Sequence, residues 1–205
     1  MTKFFGRVLL PLCLLLTACS EAPKTETAKA PPKAPEPLTG RQAFQRMYPA
    51  ARSWATDALP LQLRSINLDA VKAGKGQAGA WQCIFVSTTK SRARTYTYSA
   101  IEAEGNLHEG VFAGIEEPWS GPHGQTDPFA IVAIKTDSDQ AFDAAAEKSA
   151  DYMKKHPDSP ILYILEHTRR FPDLSWRVIW GTSEGSSDYS VFVDATTGKF
   201  LEKLH

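Results

Sequence analysis

Cysteine is scarce in this chain, and its placement matters more than its number. Cys13 and Cys19 precede Ser20, which leaves Cys83 alone in everything that follows. A lone thiol cannot close an internal disulfide, so the chain is not a stapled secreted scaffold. Charge of one sign is also lacking: 23 Lys and Arg stand against 23 Asp and Glu. A nucleic-acid binder would show a basic excess, so that class is disfavoured. No apolar run reaches the roughly 20 residues a membrane-spanning helix needs. The histidines (His108, His123, His156, His167 and His205) are dispersed, no two within five residues of each other. A zinc site wants tightly spaced ligands, so neither a metal nor a cofactor is expected. The G-x-S-x-G of a nucleophile elbow is missing; Gly181-Thr182-Ser183-Glu184-Gly185 reads as a hairpin tip, with Ser183 a turn residue. Phosphate-cradling glycine patterns are absent as well. The adjacent carboxylates Glu116 and Glu117 have no apolar setting and read as solvated. No catalytic residue is assigned, and the chain reads as a non-enzyme.

What is present begins at the N-terminus. Lys3 and Arg7 supply a positive n-region, and Val8 to Leu16 has the length of a signal-peptide h-region. Leu16-Thr17-Ala18-Cys19 resembles a lipobox, in which small residues suit the peptidase cleft and the thiol receives a diacylglyceryl group. Residues 1–18 are thus expected to be a lipoprotein signal peptide, cut before Cys19, with Cys19 the lipidation site. Each buried lipid methylene adds about 0.8 kcal/mol of membrane affinity. In lipoproteins of this pattern Ser20, where an Asp would retain the protein at the inner membrane, points to the outer membrane facing the periplasm. Residues 19–38 are rich in Pro, Ala and Lys with no large apolar side chain before Leu38. Such a stretch cannot bury enough surface to order itself, and is expected to be a disordered, partly polyproline-like tether.

Beyond the tether the pattern becomes that of an α+β protein. Thr39 is a plausible N-cap, and Phe44, Met47, Ala51 and Trp54 fall on one helical face, with Pro49 off that face and expected to bend or interrupt the helix. Leu59, Leu61 and Leu63 alternate as in a half-buried strand. Ala80–Ser87 and Thr95–Ala103 read as strands, and Gly105-Asn106 as the turn into a fourth. The same order recurs: Asp137-Ser138 caps a helix bearing Phe142, Ala145, Tyr152 and Met153. Strands follow at Ile161–Glu166, Trp176–Thr182, Asp188–Asp194 and Phe200–Leu204. Phe44 and Phe142, and Trp54 and Tyr152, are each 98 residues apart; Trp81–Phe85 overlays Trp176–Trp180 at an offset of 95, and Tyr96–Gly105 overlays Tyr189–Gly198 at 93. Offsets that shrink in predicted turns are those of a diverged duplication. We therefore expect a first αβββ-type unit at 39–114, a connecting loop and strand at 115–136, and a second unit at 137–205, packed as one body. Trp81, Phe85, Trp176 and Trp180 should line the sheet under the helices. Cys83 overlays Val178, which makes it a buried structural thiol.

The second unit resembles the PepSY-type domain of bacterial envelope proteins, on Trp176-Arg177-Val178, Tyr189-Ser190-Val191-Phe192-Val193-Asp194-Ala195 and Thr197-Gly198-Lys199. The first unit departs from this pattern, with Ile101-Glu102-Ala103-Glu104-Gly105 in place of the turn motif. The resemblance implies a non-enzymatic helix-plus-sheet module, some members of which accompany secreted peptidases and restrain them. The expected function is a membrane-anchored envelope lipoprotein that binds or regulates another envelope protein. The alternatives are an envelope enzyme acting on peptide or glycan, or a structural subunit of an envelope assembly. Two features suggest contacts. Trp119 lies among turn formers in the long connection from Gly114 to Pro128, and an aromatic there is a candidate anchor, or else a plug between the units. The run Lys90-Ser91-Arg92-Ala93-Arg94 reads as a basic hairpin tip that could meet an anionic polymer or simply be solvated.

Overall fold

The computed structural model describes residues 35–204 except Gln125 and 186–188. Cys19, the expected signal peptide and most of the expected tether, together with Asp188, lie outside the described residues. A two-residue strand β1 (Leu38–Thr39) leads into helix α1 (Gly40–Trp54). Thr39 starts the helix as a capping box: its hydroxyl accepts from the Gln42 N–H, and Gln42 Oε1 accepts from the Thr39 N–H at 3.0 Å. Pro49 does not break α1, because the carbonyl it leaves without a helical donor belongs to Gln45 on the solvent-exposed side. Strands β2 (Leu59–Ile66), β3 (Gln77–Ala78), β4 (Ala80–Ser87), β5 (Arg92–Ser99), β6 (Gly110–Pro118) and β7 (Thr126–Asp127) follow, then a 3-10 turn at Ile131–Ala133.

Helix α2 (Ser138–Lys148) opens with a second capping box, formed by Asp137 and Gln140. The helix expected to run on through Met153 stops at Ser149 and restarts as α3 (Ala150–Lys155). The Ser149 hydroxyl there donates to the Ala145 carbonyl at 2.7 Å. Strands β8 (Ile161–Thr168), β9 (Ser175–Trp180), β10 (Tyr189–Asp194) and β11 (Phe200–Leu204) complete the chain. The described residues form one compact unit.

β1 and β3 pair as a small two-stranded sheet, and the other strands build one antiparallel sheet in the order β11-β10-β9-β8-β2-β4-β5-β6, with β7 added at the end of β8. Each helix is followed by four sheet strands rather than three. The sheet is continuous because β2 pairs with β8 at Gln62–Glu166, Leu63–Leu165 and Arg64–Ile164. Both helices cover the same face. Trp81, Cys83 and Phe85 from β4 and Trp176, Val178 and Trp180 from β9 point beneath them, at most 2 % exposed. Burial raises the Cys83 thiol well above its ordinary range, so it stays protonated and inert.

Equivalent bonds recur at a fixed separation along the helices. Trp81 Nε1 donates to the Leu38 carbonyl and Trp176 Nε1 to the Thr136 carbonyl, both at 2.9 Å. Tyr96 OH donates to the Ala50 carbonyl at 3.3 Å and Tyr189 OH to the Lys148 carbonyl at 3.2 Å. The two helix N-termini meet at the midline. Thr39 Oγ1 donates to Asp137 Oδ2 at 2.6 Å, and the Arg41 N–H donates to Asp137 Oδ1 at 2.8 Å. One carboxylate thereby serves the positive ends of two helices. Beside it the Gly40 N–H donates to Ser138 Oγ at 2.7 Å, Ser138 Oγ donates to the Gly76 carbonyl at 2.5 Å, and the Gly76 N–H donates to Tyr163 OH at 2.9 Å.

Three local expectations change. Alternation in β2 is interrupted by a bulge between Pro60 and Gln62, so Leu59 is 42 % exposed while Pro60 and Leu63 are buried. The hairpin tip after β4 is Thr88–Ser91, and Arg92 and Arg94 belong to β5. Gly114, taken as the start of a loop, lies inside β6.

Candidate binding site at a sheet edge

Strand β6 ends the sheet: β5 pairs with its inner side and nothing among the described residues pairs with its outer side. Its local sequence explains both ends. Gly105 and Asn106 take positive φ (79° and 60°) to turn the chain back, and an Ala103–Leu107 bridge closes the turn. Glu102 braces the approach, accepting from the Glu109 N–H at 3.0 Å and lying 2.6 Å from His108 Nδ1. These bonds hold its carboxyl below the usual range. The far end stops at Pro118.

The alternation of the ladder fixes which groups face outward. The Trp119 N–H donates to the Ser91 carbonyl, and the Ala100 N–H to the Gly79 carbonyl. Continuing that alternation through the register directs the N–H and C=O of Val111, Ala113 and Glu116 away from β5. Pro118 occupies an outward position too, where its missing N–H costs the ladder nothing. A bulge opposite Thr95 takes up Gly114 and Ile115, and the Gly114 carbonyl accepts from Arg94 Nε at 2.8 Å. The bulge and Pro118 blunt one end of the edge, leaving Gly110 to Ala113 open. Apolar side chains stand out along this strand: Val111 is 40 %, Phe112 43 % and Ile115 80 % exposed. The His108 ring lies tilted against Phe112, 4.6 Å between centroids.

Trp119 follows immediately. It is half-buried on the β4–β5 hairpin tip, where it borders a cavity of about 220 Å³ with Thr88, Ser91 and Pro122. It is not part of the central core, so it does not plug the space between the helix–sheet halves. Ser120 Oγ lies 2.7 Å from His123 Nε2, but both side chains are exposed on a turn, and the pair closes the loop. Two basic residues of the hairpin are engaged locally: Lys90 lies over Trp54 at 5.9 Å and Arg94 over Tyr96 at 5.7 Å.

A second polar cluster sits on the uncovered sheet face at the midline. Glu166 is 8 % exposed and accepts from Gln62 Nε2 at 2.8 Å. Burial pushes its carboxyl above the usual range, the Gln62 bond opposing and the Glu184 charge adding to the rise. Arg177 Nη1 donates to Glu184 at 3.1 Å and its guanidinium lies over Phe192 at 5.5 Å. A carboxyl raised by folding stabilises the protein below its unfolded pKa, and that contribution is lost as pH rises through the folded value. Glu166→Gln should therefore raise Tm by a few degrees at pH 7 and give no gain at pH 4, read by circular dichroism melts. A lower Tm at pH 7 would mean that Arg177 more than offsets the burial.

No family model, curated protein or solved structure matches this chain. The functional reading therefore stands on the sequence and the geometry. The β6 side chains Val111, Phe112 and Ile115 were missed in the sequence, although Gly110-Val111-Phe112-Ala113 follows a clear turn. Gly114 reads as a turn former and splits the apolar run, where it in fact sits in a bulge.

Proposed function

We propose that this chain is an envelope lipoprotein anchored through Cys19, whose folded region is a tandem of PepSY-like units acting as a non-catalytic binding module for another envelope protein. The observation that carries the binding reading is β6: a nine-residue edge strand, open on its outer side, with Val111, Phe112 and Ile115 exposed. Such an edge is a template for strand addition, in which main-chain hydrogen bonds give affinity and flanking side chains give selectivity. The tandem reading is supported by the matched indole, phenol and capping bonds of the two halves. The repeated unit has four strands, with Asp194 accepting from the Thr196 and Thr197 N–H groups in the motif turn, at 2.7 and 3.0 Å.

Crosslinking in intact cells followed by mass spectrometry tests this. The native protein should fractionate with membranes, carry the mass of an acylated Cys19, and enrich one partner. Cys19→Ala should leave the membrane fraction. Val111→Pro, which deletes an outward N–H but no bond to β5, should lose the partner while still folding. Trp119→Ala reports whether the adjacent indole contributes. Membrane-bound native protein with no reproducible partner would overturn the binding reading.

A further inference from the structure

The charge around β6 says what kind of strand it accepts. From Thr95 to Pro118 the chain has no lysine or arginine, while Glu102, Glu104, Glu109, Glu116 and Glu117 fall in that stretch; Arg92 and Arg94 stand on the neighbouring β5, opposite Pro118 and Glu116. The register sorts these acids. Glu116 lies opposite Arg94 on the helix side and accepts from Trp54 Nε1 at 2.9 Å, so it is locally compensated. Glu102 is taken up by His108 and the Glu109 N–H. Glu117 lies opposite Ala93, and Phe112 opposite Thr97, on the face away from the helices. That puts Glu117 on the face opposite to Arg94. Glu109 and Glu117 are both exposed and bracket the apolar stretch, one before its start and one near its end. An incoming strand must therefore cover Val111 on the helix side and pass Phe112 and Glu117 on the other face.

We propose that β6 accepts an extended segment in which apolar residues alternate with lysine or arginine, the apolar ones on the helix side over Val111 and the cationic ones on the other face, meeting Glu117. This rests on the reading of β6 as the contact edge and adds the chemistry of the occupant. An acidic strand would set like charges opposite each other, which destabilises cross-strand pairs. A neutral strand would bind without that discrimination. Glu117 thus restricts an otherwise adhesive edge to one class of partner.

The test uses the full acylated chain in detergent and three labelled peptides of equal length, apolar residues alternating with Lys, Ser or Glu, with binding read by fluorescence anisotropy. At low salt the Lys peptide should bind about five- to tenfold tighter than the Ser peptide, the Glu peptide more weakly still. The spread should collapse in high salt and in Glu117→Gln. Val111→Pro should weaken all three peptides, and Ala113→Pro serves as a second block should the first melt early. Equal binding of all three, lost in the proline variants, would overturn the charge preference and leave the edge reading intact. No binding by any peptide, or binding untouched by either folded proline variant, would overturn both.

Discussion

Trp176→Ala should cost about 5 kcal/mol of folding stability and lower the urea midpoint sharply. The side chain is fully buried and meets Trp81 edge-to-face at 6.4 Å between ring centroids. Its indole N–H satisfies the Thr136 carbonyl just before the Asp137 cap. Truncating a buried tryptophan costs about 3–5 kcal/mol in lost transfer and cavity terms. Leaving that carbonyl without its donor adds about 1–3 kcal/mol where water cannot reach it. Against a total stability of about 5–15 kcal/mol the variant should be close to unfolding. Trp81→Ala should behave alike, since its indole holds Leu38 in the same way. The double variant should cost less than the sum, because the two rings share one contact. Strict additivity would mean that the halves do not communicate through these rings; a loss under about 2 kcal/mol for either would mean that the site collapses around the gap.

Gly76→Ala comes next in size, at about 3–4 kcal/mol. Gly76 holds φ at +71°, a conformation that costs an L-residue about 1–2 kcal/mol. A Cβ there would lie 2.1 Å from Asp139 Cα and 2.3 Å from Asp139 N. Those atoms are backbone in the first turn of α2, so relief requires moving the helix or the loop, at about 1–3 kcal/mol. Either movement also strains the Ser138 and Tyr163 bonds that Gly76 makes with its own backbone. Gly105→Ala is the control: φ is +79°, yet nothing lies within 4 Å of the added carbon. It should show the conformational penalty alone, about 1–2 kcal/mol. Equal losses in the two variants would remove the close approach to α2 as the cause.

The core-facing side of the fold was readable from residue order because packing there is periodic. Phe44, Met47 and Ala51 are buried as helical spacing demands, and Ala80–Ser87 and Phe200–Leu204 are strands at the residues expected. Cys83 and Val178 are both fully buried, as expected for Cys83 as a structural thiol. What was illegible depends on backbone irregularity or on distant partners. The bulges at Pro60 and Gly114 shift side-chain alternation without any marked residue pattern. The Glu166 environment arises only when β8 lies beside β2, which residue order does not announce. The exposure of β6 is likewise a property of the sheet's ordering: the same Val-Phe-Ala sequence in a central strand would be core.

The seam between β2 and β8 is only three residue pairs long, and Gln62 and Glu166 on it are 104 residues apart in the chain. Closing it must wait until the second half exists, so during synthesis the first half waits with the β8 side of β2 uncovered. Nothing in the strand pairing itself distinguishes β8 of the same chain from β8 of a neighbour. Refolding at high protein concentration should therefore yield exchanged dimers, in which each seam joins two chains. Dilute refolding should yield monomers.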